Sequence, residues 1–222
     1  MQENHRTRVG AERRERMRLR LLESALVVFS EKGPEASVID DIIKLAGVSR
    51  GSFYNYFKTN EELLDAVAVA ISNDIIRIID PLVRAHADPV TRISLGLRLL
   101  LLAVQKSTAL AAFFGRLRWP GIDSPLEGIL NMSRDIRLGM ESGDLSAGSL
   151  QAASDVFLGT LFCAANTLTQ ADVPASYSED ITKAVLLALG VRAAKAGKAA
   201  RMPLPELSFA GTEILSKLAN GG

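Results

Sequence analysis

The chain has one cysteine, two histidines and few aromatic residues, 5% of 222. A single cysteine excludes an internal disulfide framework and a Cys-based zinc site. His5 and His86 lack a metal partner at local spacing, and neither sits beside a nucleophile motif. Cys163 lies in an apolar stretch and reads as buried and inert. No Asn-Gly or Asp-Gly turn is flanked by alternating residues, so hairpins are not indicated. No glycine-rich phosphate loop follows a strand. No repeat recurs at a fixed period. An enzyme is therefore not expected, and the sequence calls for no cofactor and no metal.

Long hydrophobic runs are also missing. The longest uncharged apolar stretch, 156–171, is shorter than the ~20 residues of a membrane span. It also carries Asn166, Thr167, Thr169 and Gln170. The N-terminus is charged, without an apolar stretch and small-residue cleavage site. A cytoplasmic protein that does not enter membranes is the expectation.

What is present is a globular composition, 48% hydrophobic and 23% charged, long enough to bury a core. The net charge of +1 argues against nucleic acid only if charge is spread evenly. It is not. Residues 1–20 hold seven Arg (6, 8, 13, 14, 16, 18 and 20) against three Glu, a net +4. Residues 1–60 carry a net +3 and residues 61–222 a net −2. A basic module joined to a neutral-to-acidic one follows. The arginine run has two readings: a solvated helix face, or a basic arm drawn to phosphates. The second is favoured if a DNA-reading element follows it.

Apolar spacing is helical almost throughout, and the prolines fall between periodic runs. The pattern predicts an all-α protein with helices at about 11–32, 38–46, 50–56, 60–80, 90–106, 108–118, 125–142, 147–171 and 177–196. A weak helix is placed at 206–219, and residues 195–205 read as a linker or frayed end. Two domains are expected: 1–60, with the basic arm, and 61–222, a larger helical body.

The informative stretch is 33–62. Ser37 precedes an apolar-periodic run, where a helix cap sits. Gly47 falls where a left-handed C-cap is needed. Val48 plugs the core, and Ser49 caps the next helix. This layout is a helix-turn-helix. Phe53 and Phe57, four apart, share the core face, leaving Arg50, Ser52, Tyr54, Asn55 and Tyr56 on other faces. Guanidinium, amide and hydroxyl groups of this kind read base edges and phosphates. The plainer readings are a partly buried Tyr54 ring and a solvent-facing Asn55. Thr59-Asn60-Glu61-Glu62 reads as a capping box.

Residues 15–65, above all Gly47-Val48-Ser49 followed by Gly51-Ser52-Phe53-Tyr54-Asn55-Tyr56-Phe57, resemble the DNA-binding domain of tetracycline-repressor-type (TetR-family) regulators. The resemblance implies an N-terminal three-helix helix-turn-helix domain and a C-terminal helical ligand-binding and dimerisation domain. It implies a homodimer binding palindromic double-stranded operator DNA, most simply as a repressor released by a small apolar or amphipathic effector. By position, Ser37, Ser49, Arg50, Ser52, Tyr54, Asn55, Tyr56 and Lys58 become the DNA-binding set. Asn60 stands where the family often has Lys, with Lys58 near enough to substitute. Ile43 stands where Ala is common.

For the C-terminal region the resemblance implies an effector pocket, assigned to Leu102, Phe113, Phe114, Leu117, Trp119, Met132, Ile136, Phe162 and Asn166; ordinary core is the competing reading. The last two long helices would form a four-helix dimer interface through Phe157, Gly159, Leu161, Ala164, Val185, Ala188 and Leu189, or else close the monomer core. A helical adaptor or regulator answering to a protein partner is the alternative function. The exposed polar face at 50–56 argues against it.

Overall fold

A computed structural model describes residues 2–33, 38–107, 110–111, 126–212 and 214–215, with side chains from Arg8 onward. The described residues form nine helices and no strand. They are α1 (Gln2–Lys32), α2 (Ile39–Ala46), α3 (Arg50–Tyr54), α4 (Asn60–Arg84), α5 (Pro89–Lys106), α6 (Glu127–Glu141), α7 (Leu150–Gln170), α8 (Tyr177–Ala188) and α9 (Ala193–Ala200).

Side chains cap four helix starts. Ser49, Thr59, Asp88 and Ser149 accept N–H bonds from Ser52, Glu62, Thr91 and Ala152, relieving donors that a helix start leaves unpaired. The 59–62 box is a variant. Thr59 accepts from Glu62 N at 3.0 Å, but the Glu62 carboxylate reaches back to Lys58 N at 2.7 Å.

α5 is the hub of the body and packs on α4, α6, α7, α8 and α9. Leu95, Leu97, Leu99 and Leu101 are all fully buried, which requires neighbours on every side. Two apolar clusters result. One joins α1, α2 and α3 to α4 and to the C-terminal residues Leu207, Phe209, Ile214 and Leu215. The other joins α5 to α6, α7, α8 and α9. The first cluster crosses the expected boundary at residue 60, because Leu63 and Val67 of α4 pack with Leu22, Leu26 and Phe53.

Five sequence expectations change. The first helix begins at Gln2, not near residue 11. α4 runs through Pro81 to Arg84. Proline removes one backbone bond there, but Ile79 and Val83 continue the buried stripe, and an Arg84–Asp80 ion pair at 2.6 Å spans the site. The run at 177–196 breaks at Gly190 (φ +83°). Gly190 N donates to Leu187 O and Val191 N to Leu186 O, a C-cap that needs a left-handed residue. Residues 193–200, of which 195–200 fall in the expected linker, form α9 with Ala196, Ala199 and Ala200 buried. Alanine's small side chain lets α9 lie close against α5 and α8. Residues 203–209 are non-helical, against the expected helix at 206–219, whose end lies outside the described residues. The expected helix at 108–118 also lies mostly outside them.

Polar ties secure the C-terminal return. Ser94 donates to Ala199 O at 2.9 Å and Lys106 to Leu207 O at 2.9 Å. Arg98, buried among apolar residues, donates to Met202 O and pairs with Glu179 at 3.5 Å. Burial lowers the Arg98 pKa, against the pull of Glu179. Lys195 of α9 bridges Asp88 at 2.7 Å and Asp144 at 2.8 Å, tying the start of α5 to the loop after α6. No helix among the described residues is long and apolar enough to cross a membrane.

Candidate functional site

Gly47 sits at φ +61°, and Val48 N closes the end of α2 by donating to Ile43 O at 3.1 Å. The left-handed residue turns the chain sharply into Ser49 and α3. Phe53 is fully buried and Phe57 nearly so. Tyr54 packs edge-on against Phe53, with ring centroids 5.4 Å apart. These anchors push the polar positions outward. Arg50, Asn55 and Lys58 are exposed, while Ser52, Tyr54 and Tyr56 are half-buried. Ile43 is half-buried against the same cluster.

Several of these groups are held in place. The Ser49 and Ser52 hydroxyls share a hydrogen bond of 2.9 Å. Arg50 pairs with Asp40 across the turn, and Lys58 donates to the Tyr54 carbonyl. Both contacts are at the surface, where such pairs contribute little and exchange readily for phosphate. Lys32 pairs with Asp41 at 2.7 Å and ties α1 to α2. Ser37 lies outside the described residues.

The cavity of the body is a second site. It has a volume of about 140 Å³ between α4, α5, α6 and α7. Ile71, Ile75, Ile79, Ile93, Leu100, Ile129, Met132, Phe157, Leu161 and Phe162 supply its apolar wall. A void of about 150 Å³ holds a benzene ring. Asp80, Arg92, Asn131 and Asp135 supply polar groups. Arg92 meets Asp135 at 2.7 Å, and Asp135 also takes Arg134 Nε at 3.0 Å. Arg134 reaches Asn131 Oδ1 at 3.0 Å and lies 3.9 Å from Asp80. Arg92 Nε and Asn131 Nδ2 are buried without a hydrogen-bond partner. A buried donor without an acceptor is costly, and here two stand at the wall of a cavity.

Of the residues assigned to the pocket, Met132 and Phe162 line it. Leu102, Ile136 and Asn166 do not. Leu102 packs against the cluster around α1 and α4, Ile136 is fully buried in the other core, and Asn166 accepts from Gln170 at 3.0 Å. Phe113, Phe114, Leu117 and Trp119 lie outside the described residues. The contribution of α4 was not anticipated. Its signal is the isoleucine-rich face 71, 75 and 79, which ends in a charged Asp80.

The residues assigned to the dimer interface are mostly turned inward. Phe157, Leu161, Ala164, Val185 and Leu189 are buried within the protomer, with too little surface left for a second chain. An all-round apolar helix gives its most apolar stripe to its own core. Gly159 is half-buried and Ala188 exposed. What α7 and α8 leave outside is a different stripe: Ala152, Val156 and Cys163 on α7, and Ala184, Leu187 and Ala188 on α8. Cys163 is therefore exposed, not buried as expected.

Residues 21–67 match the family of bacterial regulatory proteins of the tetR type. The uncharacterized HTH-type transcriptional regulator YvdT of Bacillus subtilis is 43% identical over 49 residues, 22% of this chain and 25% of that protein. The uncharacterized HTH-type transcriptional regulator Rv1255c of Mycobacterium tuberculosis is 30% identical over 112 residues, 50% of this chain and 55% of that protein. The chain thus spans about half or less of these curated relatives. Among solved structures, RolR in complex with resorcinol superposes with a TM-score of 0.71 and 31% identity. That likeness covers 89% of this chain and all of RolR.

Proposed function

This chain belongs to the TetR family of bacterial regulatory proteins, and we propose from this that it is a ligand-responsive transcriptional repressor that binds palindromic operator DNA as a homodimer. Residues 1–60 act as the reading head and residues 61–222 as the sensing body. The observation that carries the reading is α3. Phe53 and Phe57 are buried beneath it while Arg50, Ser52, Tyr54 and Asn55 stay at or near the surface behind a glycine turn. That is the side-chain set and exposure a major-groove helix needs. The protein performs no catalysis and works in the cytoplasm, where its DNA is.

The exposed stripe of α7 and α8 provides the self-complementary face of a two-fold dimer. Val156 and Leu187 are 36% and 42% exposed there, apolar area that a second copy would cover. The cavity takes the effector. Its size suits one aromatic ring, and Arg92 Nε and Asn131 Nδ2 supply donors for oxygen atoms on that ring. RolR was crystallised with resorcinol, a dihydroxybenzene, and a small hydroxylated aromatic is the effector class favoured for this chain.

α4 connects the two sites. It opens at Thr59, directly after α3, and lines the cavity through Ile71, Ile75 and Ile79. A ligand that binds better when α4 is displaced disfavours the DNA-bound spacing of the two heads, and only that differential affinity drives release. Selection of bound duplexes from a random pool tests the reading, followed by titration of the recovered site with dihydroxybenzenes. A recovered palindrome released by one of them is the expected result. A chain that enriches no sequence overturns it.

A further inference from the structure

α1 does not stop at the body of the protein. Its core contacts begin at Leu21, yet the helix starts at Gln2, and residues 8–16 are all exposed. The basic segment ahead of the helix-turn-helix is thus an extension of a core-anchored helix and not a loose arm.

Its charges are sorted by face. Positions three, four and seven apart share one side of a helix, which places Arg13, Arg16 and Arg20 in one line. Glu12, four residues before Arg16, borders that line but is taken by Arg8 at 3.5 Å, and Glu15, on another side, by Arg18 at 4.0 Å. Arg13 and Arg16 pair with no carboxylate among the described residues. The line ends beside the reading head. Arg20 Nη2 would lie 2.8 Å from a Cβ added to Gly47, the turn in front of α3. From residue 13 to residue 20 it runs about 10 Å at 1.5 Å per residue, or about three base pairs at 3.4 Å each.

We propose that this helical extension is a second DNA-binding surface, with Arg13 and Arg16 neutralising backbone phosphates of the duplex flanking each half-site. The inference rests on the regulator reading above and adds a contact outside the region α3 can reach. Duplex DNA is the favoured occupant, since the unpaired guanidiniums of Arg13 and Arg16, on a helix continuous with the recognition turn, complement a row of phosphates. Such contacts add affinity without sequence preference and make it salt-dependent.

The test uses the full chain, wild type and Arg13→Gln/Arg16→Gln, on two labelled duplexes. One is the minimal selected site. The other is the same site with ten arbitrary base pairs added at each end. Gln keeps helix propensity, and both positions are exposed, so the fold is retained. Wild type is expected to bind the extended duplex at least tenfold more tightly than the minimal one in 0.1 M salt. The variant loses that advantage. Its log–log salt slope on the extended duplex falls by roughly 0.9 per lost phosphate contact. Equal wild-type affinity for both duplexes overturns the proposal, and so does a variant that keeps the advantage or loses affinity equally on both. A selection that enriches no site at all removes the regulator reading, and this inference with it.

Discussion

Asp74, in the middle of α4, accepts the backbone N–H groups of Ile214 at 2.7 Å and Leu215 at 3.0 Å. Its carboxylate is 1% exposed. A helix deep in the protein thus supplies the acceptor for a chain segment 140 residues away. Buried N–H groups left without a partner are costly, more so when the lost acceptor is charged. Asp74→Ala is expected to lower the unfolding free energy by about 3 kcal/mol, with Asp74→Asn recovering part of it. Urea titration followed by circular dichroism measures both. A loss below the error of extrapolation for Asp74→Ala would show that this tie contributes nothing.

The exposed positions of α3 are expected to act on DNA and not on the fold. Asn55→Ala removes an exposed amide, and Tyr54→Phe removes a hydroxyl while preserving the packing on Phe53. Each is expected to weaken operator binding by about tenfold, since base contacts contribute about 1–3 kcal/mol each. Tm and sedimentation stay as in wild type. Unchanged affinity at fixed salt removes that side chain from the interface.

Asn131→Leu separates effector binding from stability. The change deletes a buried amide donor that has no partner, which offsets the loss of the acceptor that Asn131 Oδ1 gives Arg134; Arg134 keeps its ion pair with Asp135. Tm is expected to change little, while the effector concentration for half-release of DNA rises at least tenfold. Asp135→Ala behaves differently. It strands Arg92, and breaking a buried pair costs about 3–5 kcal/mol, so Tm falls along with the response. Thermal melts distinguish the two variants, and isothermal titration against the recovered effector checks the weaker binding in both.

A charge placed on the exposed stripe reports the dimer. Leu187→Asp and Val156→Asp lie on surface positions of α8 and α7 and leave both apolar clusters intact. Sedimentation velocity at micromolar concentration is expected to give a dimer for wild type and a monomer for the double variant. A persistent dimer moves the interface elsewhere.

The Lys195 bridge predicts a pH dependence. Hydrogen bonds from Lys195 and then Ser142 hold the Asp144 carboxyl below its ordinary value. Burial pushes Asp88 upward, but Lys195 and Thr91 outweigh it and the net shift is downward. Burial pulls Lys195 down, yet its two carboxylates leave it above its ordinary value. The depressed carboxylates contribute stability above the unfolded value near pH 4, and this is lost as pH falls through their folded values. The raised lysine contributes below its unfolded value near pH 10 and ceases to as pH rises through its folded value. The Tm deficit of Lys195→Met is therefore expected to be constant from roughly pH 5 to 9 and to shrink in acid. Thermal melts across that range check it, and a deficit that grows in acid contradicts the assignment.

Local chemistry made the reading head legible. A glycine that must be left-handed, serine and threonine caps, and two phenylalanines four apart each act within a few residues, so their order in the chain is their order in space. The inward residues of α7 were misplaced for the opposite reason. A helix apolar on nearly every side carries no mark of which stripe meets its own core and which meets a partner. Cys163 and Phe157 differ by six positions on one helix, and only the neighbours on α5 and α6 decide that one is exposed and the other buried.

The amino-acid sequence alone determined the helical class, the recognition turn, its outward polar set and the basic bias of the first twenty residues, because each depends on spacing or on local backbone geometry. Tertiary structure decided the rest. The pairing of Arg92 with Asp135, the capture of residues 214 and 215 by Asp74 and the share of the cavity lined by α4 join residues from 43 to 141 positions apart. Contacts at such separation are selected by what packs against what, and no local pattern encodes the partner.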